Sequence, residues 1–244
     1  MVSKSQLKYI QSLGQKKHRD EEGLFIAEGP KIVVELLQNK NVEVQSVYGL
    51  TDWIHKNEPL LTRVNVVHIT ETELERMSQL KTPNTVIAVS KKLPVASPEV
   101  RGKISLILDE IQDPGNLGTI IRTAEWFGVS QIVCSPDTAD VYNPKVIQAT
   151  MGSIARVNVF YCDLVEWLDK EHKVTVFATT LDGKPVTNYR GLNEGLIIIG
   201  NESKGIRQAL LEQADEKITI PKRGEGESLN AAVATGIILS NLTS

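Results

Sequence analysis

The sequence predicts an α/β protein in two parts: a small α/β domain over residues 1–92, a connection at 93–102, and a larger domain over 103–244 built on a parallel sheet. Three observations predict it. Continuous apolar runs of strand length recur along the second part, as strands covered on both faces require. Helical stretches separate those runs, the alternation that builds a parallel sheet with flanking helices. Between the two parts, Leu93-Pro94-Val95-Ala96-Ser97-Pro98 combines two prolines with small residues, which suits an extended link. With 244 residues, 41% hydrophobic and 23% charged, the chain has ordinary globular composition and room for two cores.

In order along the chain, Leu24-Phe25-Ile26-Ala27 reads as a buried strand. Pro30 opens a helix at its first-turn position, with Ile32, Val33, Leu36 and Leu37 at helical spacing. Strands follow at 44–48, 64–69 and 85–90, with helical segments at 52–56 and 72–79. Beyond the link, apolar runs at 104–108, 131–134, 174–178, 196–199 and 217–220 are the strands of the parallel sheet. One intervening helix is capped by Asn116, buries Leu117, Ile120, Ile121, Ala124 and Phe127, and is closed by Gly128. The last helix, capped by Ser228, is small and apolar on nearly all sides (Leu229, Ala232, Val233, Gly236, Ile237), which asks for burial, here against a second subunit.

The net charge of −3 decides little about partners, because a basic patch can be local. The first nineteen residues carry Lys4, Lys8, Lys16, Lys17 and Arg19 and no acid, so the terminus is either a solvated end or a phosphate-contacting arm. Cys134 and Cys162 form no C-x-x-C pair, and Cys134 sits in an apolar run, so reduced thiols are expected and neither a disulfide framework nor a metal site is. No run approaches the length of a membrane span and the N-terminus has no apolar signal core, so a cytoplasmic protein without membrane partners is expected.

Three loops carry more polar and glycine-rich sequence than turns need. All three follow strands, at the carboxyl ends where open parallel sheets bind ligands. The first runs Asp109-Glu110-Ile111-Gln112-Asp113-Pro114-Gly115-Asn116-Leu117-Gly118, and Arg122 lies off the apolar face of the helix that follows. Its side chain leans back toward the helix N-terminus, where backbone amides favour an anion. The second is Gly200-Asn201-Glu202-Ser203-Lys204-Gly205, with a glycine at each end that lets a ligand approach the backbone; it is neither a dinucleotide fingerprint nor a P-loop. The third runs from Ile220-Pro221 through a charged stretch to Ser228-Leu229-Asn230.

The pattern Asn116-x-Gly118-x-x-x-Arg122, then Gly200-x-Glu202-x-x-Gly205, then Ile220-Pro221 with Ser228-Leu229-Asn230, resembles the three signature motifs of the SpoU (TrmH-like) RNA 2′-O-ribose methyltransferases. Any one motif is weak; three in order and spacing are specific. Residues 140–145 and Met151-Gly152-Ser153 also look like family sequence, and Ala231 stands where a valine is common. The first part, with Phe25-Ile26-Ala27-Glu28-Gly29 leading into a helix, is similar to the ribosomal-protein-like substrate-binding domain fused to many members.

The resemblance implies a trefoil knot near the C-terminus, otherwise rare in proteins, and a homodimer with a shared site. It implies S-adenosyl-L-methionine as cofactor, held by Gly200, Asn201, Gly205, Ile220 and Leu229 with Thr179 and Thr180 lining the pocket. It implies a catalytic group of Asn116, Arg122, Glu202, Ser228 and Asn230. The substrate implied is RNA, whose 2′-hydroxyl DNA lacks; ribosomal RNA is preferred because of the N-terminal domain, with transfer RNA as alternative. Lys16, Lys17 and Arg19 then become candidate phosphate contacts. A guanidinium stays protonated up to about pH 12, so Arg122 is expected to stabilise charge rather than act as a base. Two other readings are weighed against this one. A binding or assembly factor without turnover would be free to lose Arg122, Glu202, Ser228 and Asn230, and an unrelated nucleotide-binding enzyme would carry a Walker or dinucleotide fingerprint.

Overall fold

A computed structural model describes residues 2–171 and 173–244. The chain divides into two compact units, one of Met1–Pro94 with Asp140–Ala155, the other of Val95–Ala139 with Arg156–Ser244. The first unit begins with α1 (Lys4–Ser12) and α2 (Lys16–Glu22), then β1 (Leu24–Glu28), α3 (Pro30–Gln38), β2 (Val44–Gly49), α4 (Thr51–Asn57), β3 (Asn65–His68), α5 (Glu71–Met77) and β4 (Val86–Lys91). Its four-stranded mixed sheet has the order β1-β4-β2-β3. The basic N-terminus is no arm. Ser3 and Gln6 form a capping box, and Ile10 and Leu13 enter the same core as Ile26, Met77 and Ile87.

The helix α5 stops at Met77, two residues short of the expectation from sequence, for a polar reason. The hydroxyl of Ser78 and the backbone N–H of Gln79 (2.7 Å) both donate to the carboxylate of Glu28, which is only 4% exposed. Burial raises the pKa of Glu28 above the ordinary glutamate value of 4.5, and these two hydrogen bonds oppose the rise without cancelling it. A group raised in the folded state contributes stability that is complete below its unfolded pKa and lost as pH rises through the folded one. Melting curves of the parent and Glu28→Gln, compared at pH 4 and pH 7, are therefore expected to shift in favour of the variant as pH rises. A melting difference that does not change with pH would contradict it.

The second unit opens with β5 (Ile104–Leu108), α6 (Pro114–Trp126) and β6 (Gln131–Cys134). The chain then enters the first unit with α7 (Pro144–Thr150) and returns as β7 (Asn158–Tyr161), α8 (Leu164–Glu171), β8 (Val176–Pro185), β9 (Gly195–Ile199), α9 (Gln208–Leu211), β10 (Glu216–Thr219) and α10 (Ala231–Leu242). Its six strands are all parallel, in the order β10-β8-β9-β5-β6-β7. Both faces are covered: Ile107, Val133 and Ile198 share a core with Leu164, Leu168 and Leu210, and Leu106, Leu108 and Ile197, which alternate with them along the strands, are buried as well. Residues within the link are stitched down rather than free, since Gln131 donates to the carbonyl of Glu99 at 2.7 Å and Asn158 to that of Ala96 at 2.8 Å. The Cys134 thiol is buried, which pushes its pKa up.

Two features were not visible in the sequence. β7 lacks the long apolar run of its neighbours. The segment 140–155 packs with the first unit instead of staying with the residues that flank it in the chain. The ring of Tyr142 lies 5.0 Å from that of Phe25, and its hydroxyl accepts the Leu93 N–H at 2.8 Å. Among the described residues no helix is long and apolar enough to cross a membrane.

Candidate active site

The three polar loops and a fourth segment lie at the carboxyl ends of four adjacent strands, β5, β9, β8 and β10. In the first, Asn116 was expected to cap α6 and does not. The helix starts three residues earlier, with Asp113 as its cap and Pro114 in its first turn. The Asp113 carboxylate accepts the backbone N–H of Asn116 at 2.8 Å. A capping Asn commits its side-chain oxygen to the backbone; with Asp113 in that role the Asn116 Oδ1 is free. The Asn116 side chain donates from Nδ2 to Oε1 of Glu202, and its Oδ1 accepts Nδ2 of Asn230 at 2.9 Å.

A similar exchange occurs at the third loop. Asn230, not Ser228, caps α10: its Oδ1 accepts the N–H of Ala232 at 3.0 Å and of Val233 at 3.3 Å. Because the cap uses only the oxygen of the Asn230 side chain, its amide nitrogen remains to donate to Asn116. Asn230, Asn116 and Glu202, one from each motif, thus form a hydrogen-bonded row ending in a carboxylate.

The second loop is cinched on itself. Asn201 and Gly205 exchange backbone hydrogen bonds of 3.0 and 2.9 Å, and Oδ1 of Asn201 accepts the N–H of Ser203 at 2.9 Å and of Lys204 at 3.1 Å. Gly200 permits this closure, because a Cβ there would stand 2.4 Å from the carbonyl carbon of Gly205. The loop is also fastened to the first one: Asn201 Nδ2 donates to the carbonyl of Glu110 at 2.7 Å, and Lys204 pairs with the Glu110 carboxylate at 3.1 Å. Glu110 has φ 56°, a left-handed conformation that costs a side-chain-bearing residue about 1–2 kcal/mol. Its N–H donates to Ser135 Oγ at 2.9 Å, which holds it there. Arg207 closes the loop on Asp109, its N–H and Nε donating to the two carboxylate oxygens at 2.8 and 2.7 Å.

The fourth segment is a bulge in β8. The register with β10 runs Lys217 to Ala178 and then Ile218 to Lys184, so residues 179–183 loop out of the ladder. Gly183 ends the bulge, since a Cβ there would meet the Ile218 backbone at 2.6 Å. Thr179 Oγ1 donates to the Ile198 carbonyl at 2.8 Å, whereas Thr180 Oγ1 is buried with no hydrogen-bond partner. Ile220 is half-buried and Leu229 is 49% exposed, apolar surface beside the same strand ends.

Other candidates lie apart from the row. Arg122 is exposed, on the solvent side of α6 as expected, and forms no hydrogen bond or ion pair with a described residue. Ser228 lies in a segment, 221–230, that is exposed throughout. In the first unit Lys16 and Lys17 are exposed, but Arg19 requires correction as an RNA contact. It is 2% exposed, donates to the carbonyls of Leu13 (2.9 Å) and Gly14 (2.7 Å), and pairs with Asp140 at 2.5 Å. Its charge is spent inside the unit. Sequence reasoning missed Asp113, although an Asp-Pro pair before a helical pattern is a start signal that could have found it. It also missed Asp109 and Arg207, whose partnership nothing in their spacing announces.

Comparison with known proteins places these observations in a setting. Residues 103–240 match the SpoU rRNA Methylase family and residues 4–88 the MRM3-like substrate binding domain. The chain is similar to the 23S rRNA (guanosine(2553)-2′-O)-methyltransferase RlmP of Bacillus subtilis, 32% identical over 94% of this chain and 92% of that protein. A solved structure described as a putative RNA methyltransferase of the TrmH family from Porphyromonas gingivalis superposes with a TM-score of 0.88 at 32% identity, covering 99% of this chain and 98% of that one. The AdoMet-bound rRNA methyltransferase from Sinorhizobium meliloti superposes at 0.87 and 28% identity, covering 99% and 96%.

Proposed function

The chain belongs to the SpoU rRNA methylase family, and from that premise we propose that it transfers the methyl group of S-adenosylmethionine to a ribose 2′-hydroxyl of ribosomal RNA. The observation that carries this reading is the row Asn230–Asn116–Glu202, assembled from three distant motifs at the carboxyl edge of the sheet. The residues present fit the cofactor. The unpartnered Thr180 hydroxyl offers a buried polar group to a ligand, and Gly200 lets one approach the loop backbone. Thr179, Thr180, Gly200, Asn201, Gly205, Ile220 and Leu229 would hold it, and it supplies an activated methyl group.

The residues of this chain must then align the ribose and manage its proton. Asn116 and Asn230 fix the Glu202 carboxylate, which keeps Oε2 without a partner among the described residues and open to a hydroxyl. Arg122, permanently charged, stabilises the developing alkoxide and the adjacent phosphate. Ser228 joins them from the exposed loop. Since Arg122 has no partner among the described residues, we assign its place in the site to a homodimer, for which half-exposed Val233 on α10 and the 83% exposed Trp126 on α6 supply apolar surface. The trefoil knot belongs to the same proposal, as does a division into an RNA-binding part (1–92) and a methyltransferase part (103–244) joined by 93–102, supported by the spans of the two family matches. Lys16 and Lys17 remain as phosphate contacts, and the reaction is placed in the cytoplasm.

The test is methyl transfer from labelled S-adenosylmethionine to unmodified ribosomal and transfer RNA, followed by nucleoside digestion. Label on the 2′-oxygen of a ribosomal nucleoside is the expected result. Label only in transfer RNA would move the substrate; label on a base, or cofactor binding without transfer to either RNA, would overturn the reading.

A further inference from the structure

The 200–207 loop has two anchors, and both are on Asp109 and Glu110. At its start Asn201 is tied to the Glu110 carbonyl at 2.7 Å; at its end Arg207 is tied, through main chain and side chain together, to the Asp109 carboxylate. Asp109 is wholly buried at the end of β5 while the Arg207 side chain is 40% exposed, so the carboxylate is the fixed member of the pair. Behind it Glu110 is locked at positive φ by Ser135, whose Oγ lies 3.0 Å from Oγ1 of Thr138, itself bonded to the Leu108 carbonyl at 3.2 Å. Between the anchors, Glu202 reaches Asn116. The backbone that would grip the cofactor and the carboxylate that faces the ribose therefore hang from two adjacent residues, and Asp109 is the buried acid that holds the Arg207 end.

We propose that Asp109 is a positioning residue for cofactor binding: through Arg207 it holds the 200–207 loop at the depth that S-adenosylmethionine and Glu202 require. This rests on the reading that the loop binds the cofactor. In Asp109→Asn one of the two carboxylate oxygens becomes an NH2, so either the Arg207 N–H or its Nε faces another donor while the other keeps its acceptor, and the loop end must move. In Arg207→Gln the backbone N–H stays but the buried carboxylate loses its charge partner.

The experiment titrates S-adenosylmethionine into the full-length parent, Asp109→Asn, Arg207→Gln and the double variant without RNA, then measures KM for each substrate. Cofactor affinity is expected to fall about tenfold or more in each single variant, as for a charge-assisted hydrogen bond, with KM for RNA unchanged. The double variant should be no weaker than the worse single one, since the two residues act as a unit. A role in stability alone would lower the melting temperature and leave cofactor affinity as in the parent, and that outcome overturns the inference. Should Asp109→Asn not fold, Arg207→Gln carries the test, its side chain lying partly in solvent. Failure of the parent itself to bind S-adenosylmethionine would overturn the proposed function; normal binding by the parent and by Arg207→Gln would overturn this inference alone.

Discussion

Arg122→Ala is expected to lower methyl transfer by about a hundredfold or more, the loss typical of removing one preorganised charge-stabilising donor, with cofactor affinity unchanged. The clean separation follows from its position. Arg122 is exposed and bonded to no described residue, so its removal leaves α6 and the Asn116 row intact. Arg122→Lys distinguishes charge from shape: a planar fork gripping phosphate and alkoxide is not replaced by a point charge, so lysine should recover only part of the loss. Full turnover in Arg122→Lys would remove any specific guanidinium role. The proposed completion of the site across a dimer adds a second expectation. Mixing Arg122→Ala with Asn230→Ala chains should restore about a quarter of parental activity, since half of randomly formed dimers carry one intact site of two. No recovery on mixing would place Arg122 in the site of its own chain.

What the sequence made legible was whatever depends on short-range pattern. Ile104–Leu108 and Gly195–Ile199 are nearly uniform apolar runs because parallel strands covered on both faces have no polar side to show. The polar loops stood out because Asn, Glu and Gly at strand ends are more than turns require. Long-range pairing was not legible. Arg19 looks like its lysine neighbours, and its burial depends on Asp140, 121 residues away. The bulge that carries Thr179 and Thr180 out of the ladder exists only in the pairing of β8 with β10.

The caps show how local and distant information interlock. Either Asn116 or Asp113 would serve as a helix start by propensity. The choice falls to Asp113, because Pro114 needs no N–H at the first helical position, and only that choice leaves Asn116 free to bridge Glu202 and Asn230. A three-residue error in a helix boundary thus hides whether a residue builds the fold or the site.

Gly200→Ala is expected to weaken cofactor binding by about a hundredfold or more, with a matching loss of transfer, while the sheet remains folded. The added Cβ would stand 2.4 Å from the Gly205 carbonyl carbon, 2.5 Å from the Ile206 nitrogen and 2.7 Å from the Gly205 oxygen. All three are backbone atoms of the facing half of the loop, with no rotamer to yield, so relief requires opening the Asn201–Gly205 pair. Opening it would also release Asn201 from Glu110 and Glu202 from Asn116. Gly205→Ala is the informative contrast. Gly205 has φ 70° but open space around its Cβ position, so alanine there meets only backbone strain of about 1–2 kcal/mol. Calorimetric titration of both variants, with circular dichroism to confirm folding, should find Gly200→Ala weakened about a hundredfold or more and Gly205→Ala about tenfold. If the two were equally impaired, the glycines would matter for their conformation and not for the closeness of the two halves. If Gly200→Ala bound normally, the loop would not be the cofactor's cradle at all.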